Sequence, residues 1–90
     1  MSERITRKDV YGIIDNLNER YYFDDTTEFK FDLLCAYGGC QIVLRNNKNH
    51  SCCDITTGFL SSRECIDNFY LQLRKYGWGW IDSIIYAFSR

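Results

Sequence analysis

Ninety residues, 46% of them apolar and 17% aromatic, suffice for one domain with a real core and exclude a disordered chain. Lys plus Arg at 11 against Asp plus Glu at 12 leave the chain near neutral. That balance argues against a nonspecific nucleic-acid binder, which needs a basic excess, and equally against a strongly acidic DNA mimic.

No apolar run approaches the roughly 18 residues that cross a bilayer. The start, MSERITRKDV, is charged and has no apolar stretch of signal-peptide type. The expectation is a cytoplasmic protein without membrane contact, forming a single compact domain over 1–90.

The first element predicts as a helix from Thr6 to Arg20. Thr6 serves as N-cap with Asp9 three residues on, and Val10, Ile13, Ile14 and Leu17 form one apolar stripe. Arg4, Arg7 and Lys8 gather at the helix end where the dipole disfavours cations, a hint of another use. The connection YYFDDTTE turns from aromatic to acidic.

From Phe29 the apolar period becomes two. Phe29, Phe31, Leu33, Cys35 and Tyr37 mark one face of a strand, Gly38-Gly39 reads as a two-residue hairpin turn, and Cys40 to Arg45 returns. A second turn in NNKN leads to a third strand over Ser51 to Thr57. A turn at Gly38-Gly39 sets Cys35 opposite Ile42 and Leu34 opposite Val43. A turn centred on Asn47-Lys48 sets Ile42 opposite Cys53 and Val43 opposite Cys52. The inner row would be Cys35, Ile42, Cys53; the outer row Leu34, Val43, Cys52, bordered by Asp32, Arg45 and Asp54.

Ser61 with Glu64 opens a second helix as a capping box, with Ile66, Phe69, Tyr70, Leu73 and Tyr76 as its expected buried stripe. Gly77 is placed to end it in a left-handed conformation, and Gly79 to let the chain reverse. A last helix runs from Trp80 to Ser89, with Ile81, Ile84, Ile85 and Phe88 on its apolar face. The fold class is therefore α+β in the order α-β-β-β-α-α, a three-stranded antiparallel meander packed against helices. The last helix either covers the outer row or leaves it as a binding patch.

Five cysteines invite a metal reading. The spacing is poor for zinc, and Cys52 and Cys53, as neighbours in a strand, point to opposite faces. A Cys35–Cys53 disulfide would have to span the middle strand, about twice the roughly 4.8 Å strand spacing. The cysteines read as free thiols and small apolar residues. His50 and Cys52 share a strand face, but nothing supplies an orienting third group or an oxyanion site. No nucleotide or redox-cofactor motif is present. The order α-β-β-β-α is also that of double-stranded-RNA-binding domains, but Ser61-Ser62-Arg63-Glu64 lacks their lysine cluster. The expectation is no enzyme, no metal, no cofactor and no direct nucleic-acid contact.

The element order, the first helix stripe, the hairpins CAYGGCQIV and LRNNKNHSC, and the segment SSRECIDNFYLQLRKYGWGW resemble small phage-encoded anti-CRISPR proteins. The resemblance implies a non-enzymatic inhibitor, phage or mobile-element encoded, that blocks a host CRISPR effector by occupying one of its sites. Near-neutral charge favours blocking through an aromatic or apolar protein surface. The candidate contacts are Trp78 and Trp80 at the C-terminal elbow, Asp24, Asp25 and Glu28 in the acidic loop, and Leu34 and Val43 on the outer face. A homodimerising module, pairing through the last helix and outer row, is the runner-up; a small thiol enzyme using Cys52 and His50 comes last.

Overall fold

A computed structural model describes residues 5–90; Arg4 of the basic cluster lies outside the described residues. The elements are α1 (Arg7–Tyr21), β1 (Phe29–Ala36), β2 (Gly39–Asn46), β3 (Cys52–Asp54), α2 (Ser62–Tyr76) and α3 (Trp78–Phe88). The expected α+β order, α-β-β-β-α-α, is present, with an antiparallel sheet in the order β1-β2-β3. No helix among the described residues is long and apolar enough to cross a membrane.

The predicted α1 stripe is the buried one: Val10, Ile13, Ile14 and Leu17 meet Phe29, Phe31 and Leu33 of β1 in the core. At its start the Thr6 backbone N–H donates to the Asp9 carboxylate at 2.8 Å, satisfying an amide the helix cannot. At its end Tyr22 takes a left-handed conformation, and the Phe23 N–H reaches back to the Asn18 carbonyl at 2.8 Å. Asn18 then works as a fork. Its amide donates to the Phe31 carbonyl at 3.0 Å, and its oxygen accepts the Phe31 N–H at 2.7 Å. The outward-facing backbone of β1 is met by other side chains too. The Thr27 hydroxyl donates to the Phe29 carbonyl and the Asp32 carboxylate accepts the Leu33 N–H.

The first turn lies one residue earlier than expected. Ala36 pairs with Gly39, so Tyr37 and Gly38 form the loop, both at positive φ (54° and 74°), as a type I′ turn requires. Gly39 is excluded from the loop because it is needed elsewhere. A Cβ there would lie 2.7 Å from the Phe59 carbonyl carbon and 2.9 Å from the Leu60 nitrogen. The register changes accordingly: Leu33 faces Ile42, Asp32 faces Val43 and Leu34 faces Gln41. The second turn is displaced as well, because Asn46 pairs with Ser51 around a four-residue loop in which His50 adopts φ 61°. Val43 therefore faces Asp54, Leu44 faces Cys53 and Arg45 faces Cys52. Each displacement moves a pairing by two residues, so inner residues stay inner. The expected rows do not survive. Leu34, Val43 and Cys52 are dispersed among Gln41, Asp32, Asp54 and Arg45, and the Arg45 guanidinium lies 2.9 Å from the Asp32 carboxylate.

The third strand has three residues where seven were expected. Beyond Asp54 the chain leaves the ladder and returns only at Leu60, which exchanges both hydrogen bonds with Cys40 at 2.7 and 3.0 Å. In the gap, the Ile42 carbonyl accepts from the Ile55 and Thr56 amides, and the Ile42 N–H donates to the Thr56 hydroxyl at 3.0 Å. The Gln41 side chain donates to the Thr56 carbonyl at 2.9 Å, and the Thr56 hydroxyl lies 3.7 Å from Cys65 Sγ. Thr56 is 1% exposed. Its side chain stands in for the strand that is missing.

The capping box at Ser61 and Glu64 is present, with the Glu64 N–H donating to the Ser61 hydroxyl at 3.2 Å. The buried face of α2 is rotated from the expected one. Cys65 and Phe69 are fully buried and Ile66 and Leu73 half-buried, but Tyr70 and Tyr76 are exposed. The turn of α2 that carries Cys65 is held against Thr56, which sets the rotation. Gly77 has φ 70° and ψ −174°, the extended mirror-image region open to glycine alone, not the expected left-handed one. It ends α2 and caps α3 by itself. Consequently α3 begins at Trp78, and Gly79 lies within its first turn and not in a reversal.

Helix α3 joins α1 and α2 on the inner face and does not cover the outer one. Ile81 is fully buried, the Phe88 ring sits 5.5 Å from Phe29, and the Trp80 ring 6.1 Å from Phe69.

Two substitutions test these assignments by urea unfolding. Thr56→Val keeps the shape but orphans the Ile42 N–H, and should cost about 1–3 kcal/mol. Gly39→Ala should cost more than Gly38→Ala, which strains only a solvent-facing turn by about 1 kcal/mol; equal losses would contradict the Gly39–Phe59 approach.

Candidate partner-binding surface

Two tryptophans with one residue between them in the first turn of a helix point in nearly opposite directions, since two steps of about 100° separate them. Trp80 turns to Phe69 of α2. Trp78 turns to α1, where the Arg20 guanidinium lies over its ring at 3.9 Å from the centroid, a close cation–π contact. Both rings are half-buried and pack on the edge of the core.

Between α1 and α2 the packing leaves an apolar notch of about 150 Å³, lined by Ile13, Asn16, Leu17, Phe69, Tyr70, Leu73 and Trp78. A volume of that order holds one benzene-sized group. The notch exists because Tyr70 stays at the rim while Phe69, edge-on to it at 5.4 Å, fills the core. A shallower hollow continues from the shared residue Asn16 across Glu19 and Arg20 to Tyr22. Tyr22 is held out in solvent, 88% exposed, by its left-handed backbone. Six of the seven tyrosines are exposed: Tyr11, Tyr22, Tyr37, Tyr70, Tyr76 and Tyr86.

The seventh, Tyr21, is structural. Its hydroxyl donates to the Asp82 carboxylate at 2.6 Å, and its ring lies 5.8 Å from both Phe23 and Phe31. Burial and then the bond to Asp82 push its pKa from 10 up to about 12.

The acidic loop is occupied locally. Asp24 accepts from the Thr26 amide and hydroxyl, chiefly the hydroxyl, which holds its carboxyl below the usual range. Asp25 pairs with Lys30 at 2.6 Å and raises the lysine's pKa. The Glu28 carbonyl accepts from the Asn47 N–H at 2.8 Å, while its side chain is exposed. These bonds run to the end of the β1–β2 pair away from its turn, and none reaches Trp78 or Trp80. Leu34 is half-buried, and Val43 is fully buried beneath the polar outer face. The candidate contacts thus fall into three separate places, of which the Trp78 notch is the concave one. Tyr70, Asn16 and Leu73 complete it; they belong to two helices, and no local sequence pattern links them.

All five cysteines are free. Burial raises the pKa of Cys53 and of Cys65, so neither is an activated nucleophile. His50 belongs to the second turn, and the Cys52 thiol points to the His50 backbone carbonyl at 3.8 Å. No three His, Cys, Asp or Glu side chains converge among the described residues. Comparison with protein families, with curated proteins and with solved structures gives no match.

A pH dependence follows from Tyr21. Its folded pKa lies above the unfolded value of about 10, so its contribution to stability is complete below pH ~10 and is lost as pH rises toward ~12. A difference titration of tyrosinate absorbance between the wild type and Tyr21→Phe should place the missing step near pH 12. A step near 10 would mean that the hydroxyl is neither buried nor bonded to Asp82.

Proposed function

We propose that the protein is a non-enzymatic inhibitor that binds a protein partner, a host CRISPR effector, and blocks it by occupying a functional surface. The reading rests on the apolar notch at Trp78 and its setting among exposed tyrosines. Aromatic anchors and the pockets that receive them dominate interface energetics, while near-neutral charge gives little steering by field alone. The notch takes one apolar side chain of the partner. Tyr70 on its rim and Arg20, stacked over the Trp78 ring, supply the surrounding polar contacts. The acidic loop, already engaged with Lys30 and Asn47, contributes at the periphery.

The test is phage plating on hosts carrying an active CRISPR effector. Expression of the wild-type chain should restore plaque formation against at least one effector class. Asn16→Trp, which fills the notch from an exposed position, should abolish the effect without changing the far-ultraviolet spectrum. Absence of protection across a panel of effector classes overturns the inhibitor reading. Full protection by Asn16→Trp overturns the notch as its contact.

A further inference from the structure

Cys35 and Cys40 are directly opposite each other in the β1–β2 ladder, one pair from the Tyr37-Gly38 turn. Alternation puts both on the inner face, Cys35 in line with Phe31 and Leu33, Cys40 with Ile42 and Leu44. The Cys40 N–H and carbonyl are both committed to Leu60 on the other side. Cys35 and Cys40 are therefore a non-hydrogen-bonded pair, the closer of the two antiparallel types, with Cα atoms about 4.5 Å apart. That separation lies inside the range of about 4.4–6.8 Å that disulfides span. Exposure is asymmetric: Cys35 is exposed and Cys40 is 1% exposed. Cys65, whose thiol lies within hydrogen-bond reach of the Cys40 thiol, is fully buried and offers no entry to a small disulfide; the remaining thiols are placed differently. Cys52 is exposed but faces Arg45, and Cys53 faces Leu44.

We propose that Cys35 and Cys40 form a reversible thiol–disulfide site, with Cys35 the entry thiol for small disulfides of the oxidised glutathione class and Cys40 the resolving thiol. Cys35 loses its proton to solvent and its sulfur attacks one sulfur of the small disulfide, releasing one glutathione as thiolate. Cys40 then loses its proton and attacks the Cys35 sulfur of the mixed disulfide. The second glutathione leaves, and a Cys35–Cys40 bond closes the hairpin. Two protein thiols are oxidised and one small disulfide is reduced to two thiols. Thiol exchange in the opposite sense reopens it.

The sequence makes the outcome legible by mass. Cleavage after Lys30 and Arg45 yields one peptide, 31–45, that carries both residues; Cys52 and Cys53 fall in 49–63 and Cys65 in 64–74. The folded protein is incubated with oxidised glutathione, the remaining thiols are blocked with N-ethylmaleimide, and the digest is run without reductant. The expected result is peptide 31–45 lighter by two hydrogens and free of glutathione, while Cys52 keeps an unresolved glutathione adduct. In Cys40→Ala the adduct should persist on Cys35. A stable adduct on Cys35 in the wild type, an unmodified 31–45 beside a modified Cys52, or a cross-link between 31–45 and 64–74 would each overturn the proposal. The readout is independent of any partner.

Discussion

The central strand β2 sets the terms for the rest of the molecule. It is buried along nearly its whole length, so every backbone group on both of its edges needs a partner inside the protein. One edge has the eight residues of β1; the other has a strand of three. The deficit is met by improvisation: the Thr56 hydroxyl accepts where a strand carbonyl should stand, and Leu60 rejoins the ladder at Cys40. That return forces the Phe59–Leu60 peptide against Gly39 and brings Ser61 to the point where α2 starts. Thr56 also meets Cys65 from above, so the same residue that completes the sheet fixes the rotation of the helix. The exposed position of Tyr70, and with it the notch between α1 and α2, descends from this arrangement.

Helix α3 is held by aromatic and polar contacts at separate points: Phe88 on Phe29, Trp80 on Phe69, Trp78 on Arg20, and Asp82 on Tyr21. Together they reach three elements, β1, α2 and the C-terminal end of α1, so the helix is clamped across the ends of the α layer. Gly77 is the only joint in the connection. Its ψ of −174° lets one helix follow another with no intervening loop, and that economy brings Trp78 within reach of both Arg20 and the notch.

The sequence disclosed what local chemistry decides. The caps at Thr6 and Ser61, the Val10–Leu17 stripe, the alternation from Phe29 onward and the Ile81–Phe88 face were all readable, because each is written within a few residues. The hairpin turn was readable only to within one position. Tyr37-Gly38 and Gly38-Gly39 both offer a glycine in the loop, and the choice is made by Phe59, twenty residues away, which reserves Gly39. The faces survived that error because a turn displaced by one residue shifts a pairing by two. Which residue meets which did not survive, and the supposed outer apolar row was lost with it. The shortness of β3 and the notch were hidden for a related reason: each depends on side chains from distant segments. The tryptophans were visible as unusual, but their division of labour follows from a helix that starts two residues earlier than the glycines suggested.

The free edge of β1 has a further consequence. Its outward groups at Phe29, Phe31 and Leu33 are engaged by Thr27, the Asn18 fork and Asp32. An incoming extended peptide would have to displace three side chains to pair along Phe29–Leu33. Templated growth and strand addition are opposed over that stretch of the flank, where each ladder bond gained would replace one already made.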